Sequence, residues 1–310
     1  MKIGIDIGGT KCAVVFGDET HIEKKIKFAT TNCEDTLKNI FDAVEVIGQG
    51  DAIGISCGGP LDSKAGVIMS PPNLPDWNNV CITDMLTSRF GVPAYLCNDA
   101  NACALAEWKY GAGIGTKNMI FLTFGTGFGA GIILDGKLYN GTNGMAGEVG
   151  HIRLSEYGPV GYGKQGSSEG FCSGNGIAQI GRMLAIEKLQ MGQALPYCKS
   201  FSDLDNINAK LLAEYADKGD DTAVRAYRIS GEMLGKTLAT IVDLLNPEVI
   251  VIGSIFARSE NLLRPYMERT LREECLGASL SVCSVLPAKL GDSIGDYAAL
   301  AVAYEGEKWK

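Results

Sequence analysis

The chain has 310 residues, a length that suits two domains of ordinary size. Its formal net charge is −8 and it has no basic stripe or tail, which disfavours a nucleic-acid partner. No apolar stretch reaches the ~18 residues that span a membrane, and the N-terminus lacks a signal-peptide core. The ten cysteines lie mostly in apolar runs, which indicates reduced thiols. We therefore expect a cytoplasmic protein with no membrane partner.

Strands and helices alternate in the first half of the chain. Lys2 to Ile7 and Cys12 to Phe16 predict a β-hairpin, because two apolar runs flank a glycine turn. Apolar residues at helical or strand spacing then predict further elements. In chain order these are a helix from Glu34 to Ile47, a strand from Ala52 to Ser56, a helix from Ile82 to Phe90, a strand from Ala94 to Cys97 and a helix from Ala100 to Tyr110.

The second half opens with a similar hairpin, in which strands from Asn118 to Phe124 and from Gly129 to Leu134 flank a Gly-Thr turn. This internal repeat predicts two α/β lobes of related topology. We place the small lobe at 1–112 plus 296–310 and the large lobe at 113–295. Later elements are predicted as helices from Gly174 to Leu189 and from Asp220 to Leu245, a strand from Glu248 to Ile252, and a glycine loop with a terminal helix from Gly291 to Ala303.

Two glycine turns are candidate phosphate sites. In the first, Gly8 and Gly9 let backbone N–H groups approach phosphate oxygens, Thr10 adds a hydroxyl, and Asp6 is placed to hold a metal-bound water. The Walker pattern is absent. Taken alone, a hairpin that merely needs glycine explains this turn equally well. The second turn, Gly125-Thr126-Gly127, favours phosphate binding, because a matched pair can hold opposite ends of a triphosphate.

Candidate polar ligands follow the predicted strands. Asn98 and Asp99 stand where α/β sheets bind ligands, at the carboxyl end of a strand, although a helix N-cap is the more frequent explanation of Asp99 alone. Glu148 and His151 lie next to glycines, which indicates that they line a ligand site. The alternative is that His151 is a loop histidine hydrogen-bonded to the backbone. Asn73 lies in a proline-stiffened loop that either presents its amide to a ligand or forms a plain surface turn.

Together these motifs resemble the ROK family, which groups bacterial sugar kinases with sugar-responsive repressors. The resemblance covers nearly the whole chain, and its most specific parts are Asn98-Asp99-Ala100-Asn101-Ala102 and the segment GTNGMAGEVGH from Gly141 to His151. It implies a two-lobed actin-like ATPase fold, of the ribonuclease H-like class, with an interdomain cleft. It also implies an ATP- and Mg²⁺-dependent phosphotransferase of the glucokinase type, which acts on O6 of a hexose or N-acetylhexosamine as a homodimer.

The resemblance also implies a role for each motif residue. Asp99 is the general base that takes the proton from the sugar hydroxyl. The sugar hydroxyls are contacted by Gly59, Asn73, Asn98, Glu148, His151 and Glu169. The nucleotide is bound by Asp6, Gly8, Gly9, Thr10, Lys11, Gly125, Thr126, Gly127, Gly253 and Ser254, of which the last two stand where the family usually has paired glycines. The identity of the sugar does not follow from these motifs.

Three other functions are weighed against the kinase. A repressor of the same family carries an N-terminal helix-turn-helix, for which the position of Asp6 leaves no room, and the acidic charge agrees. A non-catalytic sugar and ATP sensor on the same fold stays open, because fold does not fix function, although Asp99 and both glycine turns argue against it. A Rossmann dehydrogenase is disfavoured, because a strand rather than a helix follows Gly8-Gly9.

The chain departs from the family pattern between Val160 and Glu169. Most members carry a Cys-x-Cys-x4-Cys cluster there, which binds zinc together with the histidine that corresponds to His151. Here this stretch has no cysteine, and only Cys172 follows closely, whereas structural zinc needs four N or S ligands. We predict no structural zinc, and we expect packing around Tyr162 to hold the loop. Metal analysis of the purified protein checks this, and an equimolar zinc content would contradict it.

Overall fold

The computed structural model describes residues 1–309, and its fold class is α/β. The strands are β1 (Lys2–Ile7), β2 (Lys11–Gly17), β3 (Ile22–Ala29), β4 (Ile53–Cys57), β5 (Leu61–Asp62), β6 (Val67–Ile68), β7 (Ala94–Asn98), β8 (Met119–Phe124), β9 (Phe128–Leu134), β10 (Lys137–Leu138), β11 (Val160–Gly161), β12 (Lys164–Gln165), β13 (Val249–Ile252) and β14 (Ser284–Pro287).

The α-helices are α1 (Cys33–Ile47), α2 (Ile82–Phe90), α3 (Asp99–Tyr110), α4 (Ser168–Phe171), α5 (Gly174–Gln190), α6 (Ala209–Ala216), α7 (Asp221–Leu245), α8 (Ile255–Arg258), α9 (Glu260–Glu274), α10 (Gly277–Leu280) and α11 (Ile294–Glu305). Every strand and helix predicted from the sequence is confirmed, with ends that differ by one or two residues. Within residues 1–309, no helix combines the length and apolar character needed to cross a bilayer.

Two five-stranded sheets share one strand order. The first is ordered β3-β2-β1-β4-β7 and the second β10-β9-β8-β13-β14. Ranked along the chain, the strands of each sheet stand in the order third, second, first, fourth and fifth. The internal repeat predicted from the two hairpins is therefore confirmed.

The chain forms two compact units. Unit 1 consists of Met1–Phe121, Gly131–Ala146 and the segment that begins at Lys289, and unit 2 consists of Leu122–Ala130 and Gly147–Ala288. The lobe boundaries proposed from the sequence, at 112/113 and 295/296, stay a prediction, and Lys310 at the end of the small lobe lies outside the described residues.

The terminal helix α11 packs directly on the central strands of unit 1. A Cβ on Gly4 of β1 would lie 2.7 Å from the backbone nitrogen of Leu300, and a Cβ on Gly54 of β4 would collide with the carbonyl of Ala299. Alanines dominate the buried face of α11, so the helix backbone can approach these glycines closely. This close contact brings the start of α11 to the carboxyl end of β1.

Parallel pairing aligns the carboxyl ends of β1, β4 and β7. Ile7 of β1 is in register with Cys57 of β4, which is in register with Asn98 of β7. Residues at and after these positions therefore share one edge of the unit 1 sheet, where open α/β sheets bind ligands.

A buried carboxylate joins α3 to two loops of unit 1. Glu107 is fully buried, and its Oε2 accepts hydrogen bonds from the backbone nitrogens of Ala112 at 2.8 Å and Lys289 at 3.2 Å. Its Oε1 accepts from the nitrogen of Leu290 at 2.9 Å. One side chain thus satisfies three backbone donors in the loops that follow α3 and precede α11.

Replacing Glu107 tests this junction. Glu107→Ala leaves three backbone donors without their acceptor and should lower the free energy of unfolding by at least ~2 kcal/mol. Glu107→Gln keeps one carbonyl oxygen and should cost less. Denaturant unfolding followed by circular dichroism measures both, with the exposed Glu214→Ala as the control. Equal stability of Glu107→Ala and the control would contradict the assignment.

Candidate active site

The first glycine turn is braced by β3 and by the loop that carries Asn73. The nitrogen of Gly8 donates to the carbonyl of Lys11 at 3.1 Å, while the hydroxyl of Thr30, just after β3, donates to the carbonyl of Gly8 at 2.6 Å. A Cβ on Gly9 would lie only 2.5 Å from the Cβ of Asn73, so glycine is required for this approach. The turn is thereby held with Gly9, Thr10 and Lys11 exposed.

Asn98, rather than Asp99, caps helix α3. The side-chain oxygen of Asn98 accepts from the nitrogen of Ala100 at 3.0 Å, and the Nδ2 of Asn98 points toward Gly59, whose Cβ position lies 3.5 Å away. The interpretation of Asp99 as the N-cap is therefore wrong. Asp99 is the first helical residue and is exposed, and its Oδ1 also accepts from Ala100 at 2.8 Å. Its Oδ2 lies 3.7 Å from the Cβ position of Gly58.

Asp6 lies in a cluster of carboxylates at the edge of the unit 1 sheet. Burial, and after it the charges of Asp296 and Asp99, raise the pKa of Asp6 to about 6 against the opposing effect of Lys11 and Lys25. Asp296 is buried at the start of α11 and forms an ion pair with Lys25 of β3. Unit 1 therefore brings two further carboxylates, Asp296 and Asp99, near Asp6, with lysines that partly compensate their charge.

The oxygen ligands of this cluster suit magnesium held through water. Mg²⁺ prefers carboxylate and water oxygens and commonly uses one or two protein carboxylates together with substrate phosphates. Within residues 1–309, no group of three or more His, Cys, Asp or Glu side chains has a geometry that would hold a metal ion directly. Asp6 is the best placed carboxylate, because it lies near the end of β1, the strand that leads into the first glycine turn.

In unit 2, Glu169 holds the second glycine turn. Its Oε2 accepts from the nitrogen of Phe128 at 3.0 Å, and a Cβ on Gly127 would lie 2.8 Å from the same oxygen. The nitrogen of Gly174, at the start of α5, donates to the carbonyl of Gly125 at 2.8 Å. Thr126 is left exposed at the tip of the turn.

Two glycines allow the segment from Gly147 to His151 to contact the backbone of β9 closely. A Cβ on Gly147 would collide with the carbonyl of Ala130, and a Cβ on Gly150 would collide with the carbonyl of Phe128. Gly147 also has a φ of 96°, which favours glycine. Glu148 and His151, beside these glycines, are both exposed. The glycines thus fix the segment to the sheet and leave its two ionisable side chains on the surface of unit 2.

Hydrogen bonds, rather than packing around Tyr162, hold the loop from 160 to 169. Tyr162 is 81% exposed, so the expectation that it packs the loop is wrong. The Nζ of Lys164 donates to the carbonyl of His151 at 2.5 Å, and Arg153 donates to the carbonyl of Gln165 at 2.8 Å. The side-chain amide of Gln179 bonds both the nitrogen and the carbonyl of Val160, each at 2.9 Å.

A polar pocket of about 300 Å³ lies between this loop and α5 in unit 2. It adjoins the second glycine turn and Glu169, and Ser254 also lies beside that turn, 3.6 Å from the Cβ position of Gly125. The pocket is lined by Thr126, Val160, Gly161, Tyr162, Glu169, Ser173, Asn175, Gln179 and Arg182.

The predicted site residues therefore form two groups. The first group shares the edge of the unit 1 sheet and comprises Asp6, Gly8, Gly9, Thr10, Lys11, Gly59, Asn73, Asn98 and Asp99. The second belongs to unit 2 and comprises Gly125, Thr126, Gly127, Glu148, His151, Glu169, Gly253 and Ser254.

Sequence reasoning missed Asp296, Lys25 and Thr30. The one signal for Asp296 in the sequence is its charge at the start of the apolar run of the terminal helix. Lys25 belongs to the polar edge strand β3, which has no strong apolar pattern.

Neutralising Asp6 should change the pH dependence of stability. Because its folded pKa of about 6 lies above its ordinary value, ionised Asp6 destabilises the fold above about pH 6, and the penalty disappears as the pH falls toward ~4. Asp6→Asn should therefore raise the Tm at about pH 8, and this gain should shrink as the pH is lowered.

Thermal denaturation at a series of pH values measures the effect. Asp205→Asn, at an exposed carboxylate, is the matched control and should show no gain that grows between about pH 4 and 6. A constant difference between Asp6→Asn and the wild type across that range would contradict the placement of Asp6 in a low-solvation cluster.

Comparison with known proteins matches nearly the whole chain. The model of the ROK family matches residues 2–305. A glucokinase of Streptomyces coelicolor is 32% identical over 312 residues, which cover 98% of each chain. A xylose repressor of Caldicellulosiruptor bescii is 29% identical over 272 residues, which cover 81% of this chain and 65% of the repressor.

A solved structure agrees with these similarities. The crystal structure of a ROK family glucokinase from Streptomyces griseus in complex with glucose and AMPPNP is 31% identical, with a TM-score of 0.77, and the match covers 98% of this chain and 99% of that one. The predicted actin-like ATPase fold is thereby confirmed. The chain belongs to the ROK family.

Proposed function

We propose that this protein transfers the γ-phosphoryl group of ATP to a hydroxyl of a hexose or N-acetylhexosamine, with Asp99 as the general base. The observation that carries the proposal is the position of Asp99. Its carboxylate is exposed at the first turn of α3, at the sheet edge that also carries Asp6 and the first glycine turn. The relatives in the family include a glucokinase of similar length and a glucokinase solved with glucose.

Asp99 would accept the proton of the sugar hydroxyl and so make that hydroxyl a better nucleophile. Such a hydroxyl has a high pKa and is a poor nucleophile, so a carboxylate within hydrogen-bond reach must accept its proton as the bond to phosphorus forms. Asn98 takes over the capping of α3, so the fold does not depend on Asp99 as the cap.

The other residues position the reactants and stabilise charge. In phosphoryl transfer these two effects provide most of the catalysis. The Gly8-Gly9-Thr10 and Gly125-Thr126-Gly127 turns would bind phosphate oxygens, and Asp6 would hold a water on Mg²⁺. When bound, Mg²⁺ neutralises charge on the β and γ oxygens. Gly59, Asn73, Asn98, Glu148, His151 and Glu169 would orient the sugar, since hydroxyls both donate and accept hydrogen bonds.

The choice of sugar, the use of O6, the homodimer and the cytoplasmic location stay predictions. Glucose is the first sugar to test, because the glucokinases of both Streptomyces species are close in length and about a third identical. A non-catalytic sugar and ATP sensor is the alternative function, and it predicts binding of sugar and nucleotide without release of ADP.

The Asp99→Asn variant tests the general base. Asn keeps the Oδ1 that accepts from Ala100 but cannot take a proton, so kcat should fall at least ~100-fold while the fold is retained. A coupled ADP-release assay with MgATP and a panel of hexoses and N-acetylhexosamines measures turnover, and a thermal melt checks folding.

Asp205→Asn is the control, because it makes the same change at an exposed carboxylate of unit 2 that belongs to neither glycine turn. Near-normal turnover by Asp99→Asn would reject Asp99 as the base. No ADP release with any sugar, from wild-type protein that binds both sugar and ATP, would favour the sensor.

A further inference from the structure

Ser254 has a backbone conformation that residues other than glycine rarely adopt. It directly follows Gly253 at the end of β13, with a φ of 56° and a ψ of −114°. This is the region that glycine occupies at the first central position of a type II′ turn, and a side chain there strains the backbone. Glycine would fit with less strain, so the serine side chain calls for an explanation.

The hydroxyl of Ser254 is hydrogen-bonded to the guanidinium of Arg258. Its Oγ accepts from Nη2 of Arg258 at 3.0 Å, and both side chains are exposed. Arg258 ends the short helix α8 and lines an open groove of about 720 Å³ together with residues of α9. The guanidinium is therefore accessible to a ligand from solvent.

The Ser254–Arg258 pair lies beside the second glycine turn of the same unit. The Oγ of Ser254 is 3.6 Å from the Cβ position of Gly125, and a Cβ on Gly174, which donates to Gly125, would lie 3.0 Å from the side chain of Ile255. The turn, the residues after β13 and the start of α5 therefore pack together. A guanidinium is suited to phosphate, because its planar fork donates two parallel charge-assisted hydrogen bonds.

We propose that Ser254 is a positioning residue, which holds the Arg258 guanidinium beside Gly125 so that Arg258 binds the phosphate chain of the nucleotide donor. The inference rests on the proposed function, since it takes the Gly125-Thr126-Gly127 turn as a phosphate site. It explains why a strained serine stands where glycine would be more stable: the hydroxyl orients the arginine. Binding of the sugar does not depend on this pair.

Ser254→Gly separates stability from donor binding. The variant removes the strain and the hydroxyl together, so its Tm should rise, whereas its KM for ATP should increase about 10-fold, the effect of one charge-assisted hydrogen bond. Its kcat and its KM for the sugar should stay within about twofold. Arg258→Met should raise the KM for ATP at least as much, and Arg258→Lys should restore only part of it, because lysine lacks the fork.

Two further measurements make the test specific. The double variant Ser254→Gly/Arg258→Met should bind ATP no more weakly than Arg258→Met alone, because the serine acts through the arginine. Arg228→Met, at an exposed arginine of α7, is the matched control and should leave the KM for ATP unchanged. Titration of each variant with MgAMPPNP by calorimetry gives the same comparison without turnover.

The outcomes separate this inference from the proposed function. A higher Tm of Ser254→Gly with unchanged KM for ATP and unchanged AMPPNP affinity would overturn the inference and leave the kinase intact. A second outcome is that both single variants bind AMPPNP more weakly while the wild type phosphorylates no sugar. This would support the role of Ser254 and Arg258 in nucleotide binding and overturn the proposed kinase activity. Wild-type protein that neither turns over nor binds AMPPNP would overturn both.

Discussion

The contact between α11 and the glycines of β1 and β4 determines the geometry of unit 1. Because Gly4 and Gly54 have no side chains, the backbone of α11 at Ala299 and Leu300 touches the sheet directly. A Cβ on Gly295 would lie 2.5 Å from Oδ2 of Asp6, so the same approach brings the start of the helix against this carboxylate. Any side chain at Gly4 or Gly54 would move the helix away from the sheet and so separate Asp296 from Asp6, whose charges interact.

The electrostatics of the candidate site follow from that closeness. The pKa of Asp6 is raised chiefly by burial and then by the charges of Asp296 and Asp99. Lys25 forms an ion pair with Asp296. A cluster with excess negative charge favours a cation, and a Mg²⁺ ion with its waters would supply positive charge without requiring a rigid set of protein ligands. The proposed binding of Mg²⁺ and phosphates would offset the unfavourable free energy of placing these carboxylates close together.

The sequence predicts those strands, turns and helices whose formation depends on local patterns of apolar residues and glycines. The two Gly-Thr hairpins, the strand before Asp99 and the long helix α7 were predicted because apolar periodicity and glycine turns are local signals. The lysine-rich strand β3 and the helix α9, with Pro265 inside it, were missed, because their pattern is weak and tertiary contacts decide their structure. Asn98 and Asp99 both suit an N-cap, so only the structure assigns the cap. The contacts of Asp296 and of Tyr162 depend on residues distant in sequence, and no local pattern encodes them.

The segment from Gly147 to His151 contains two kinds of position, because Gly147 and Gly150 pack on β9 while Glu148 and His151 are exposed. The two glycines touch strand carbonyls and cannot be enlarged, whereas the side chains of Glu148 and His151 are exposed. Substituting Glu148 or His151 therefore leaves the contacts of the two glycines with the sheet in place. Contact with the sheet and contact with solvent are thus assigned to different side chains within five consecutive residues, so the surface of this segment can be altered separately from its folding.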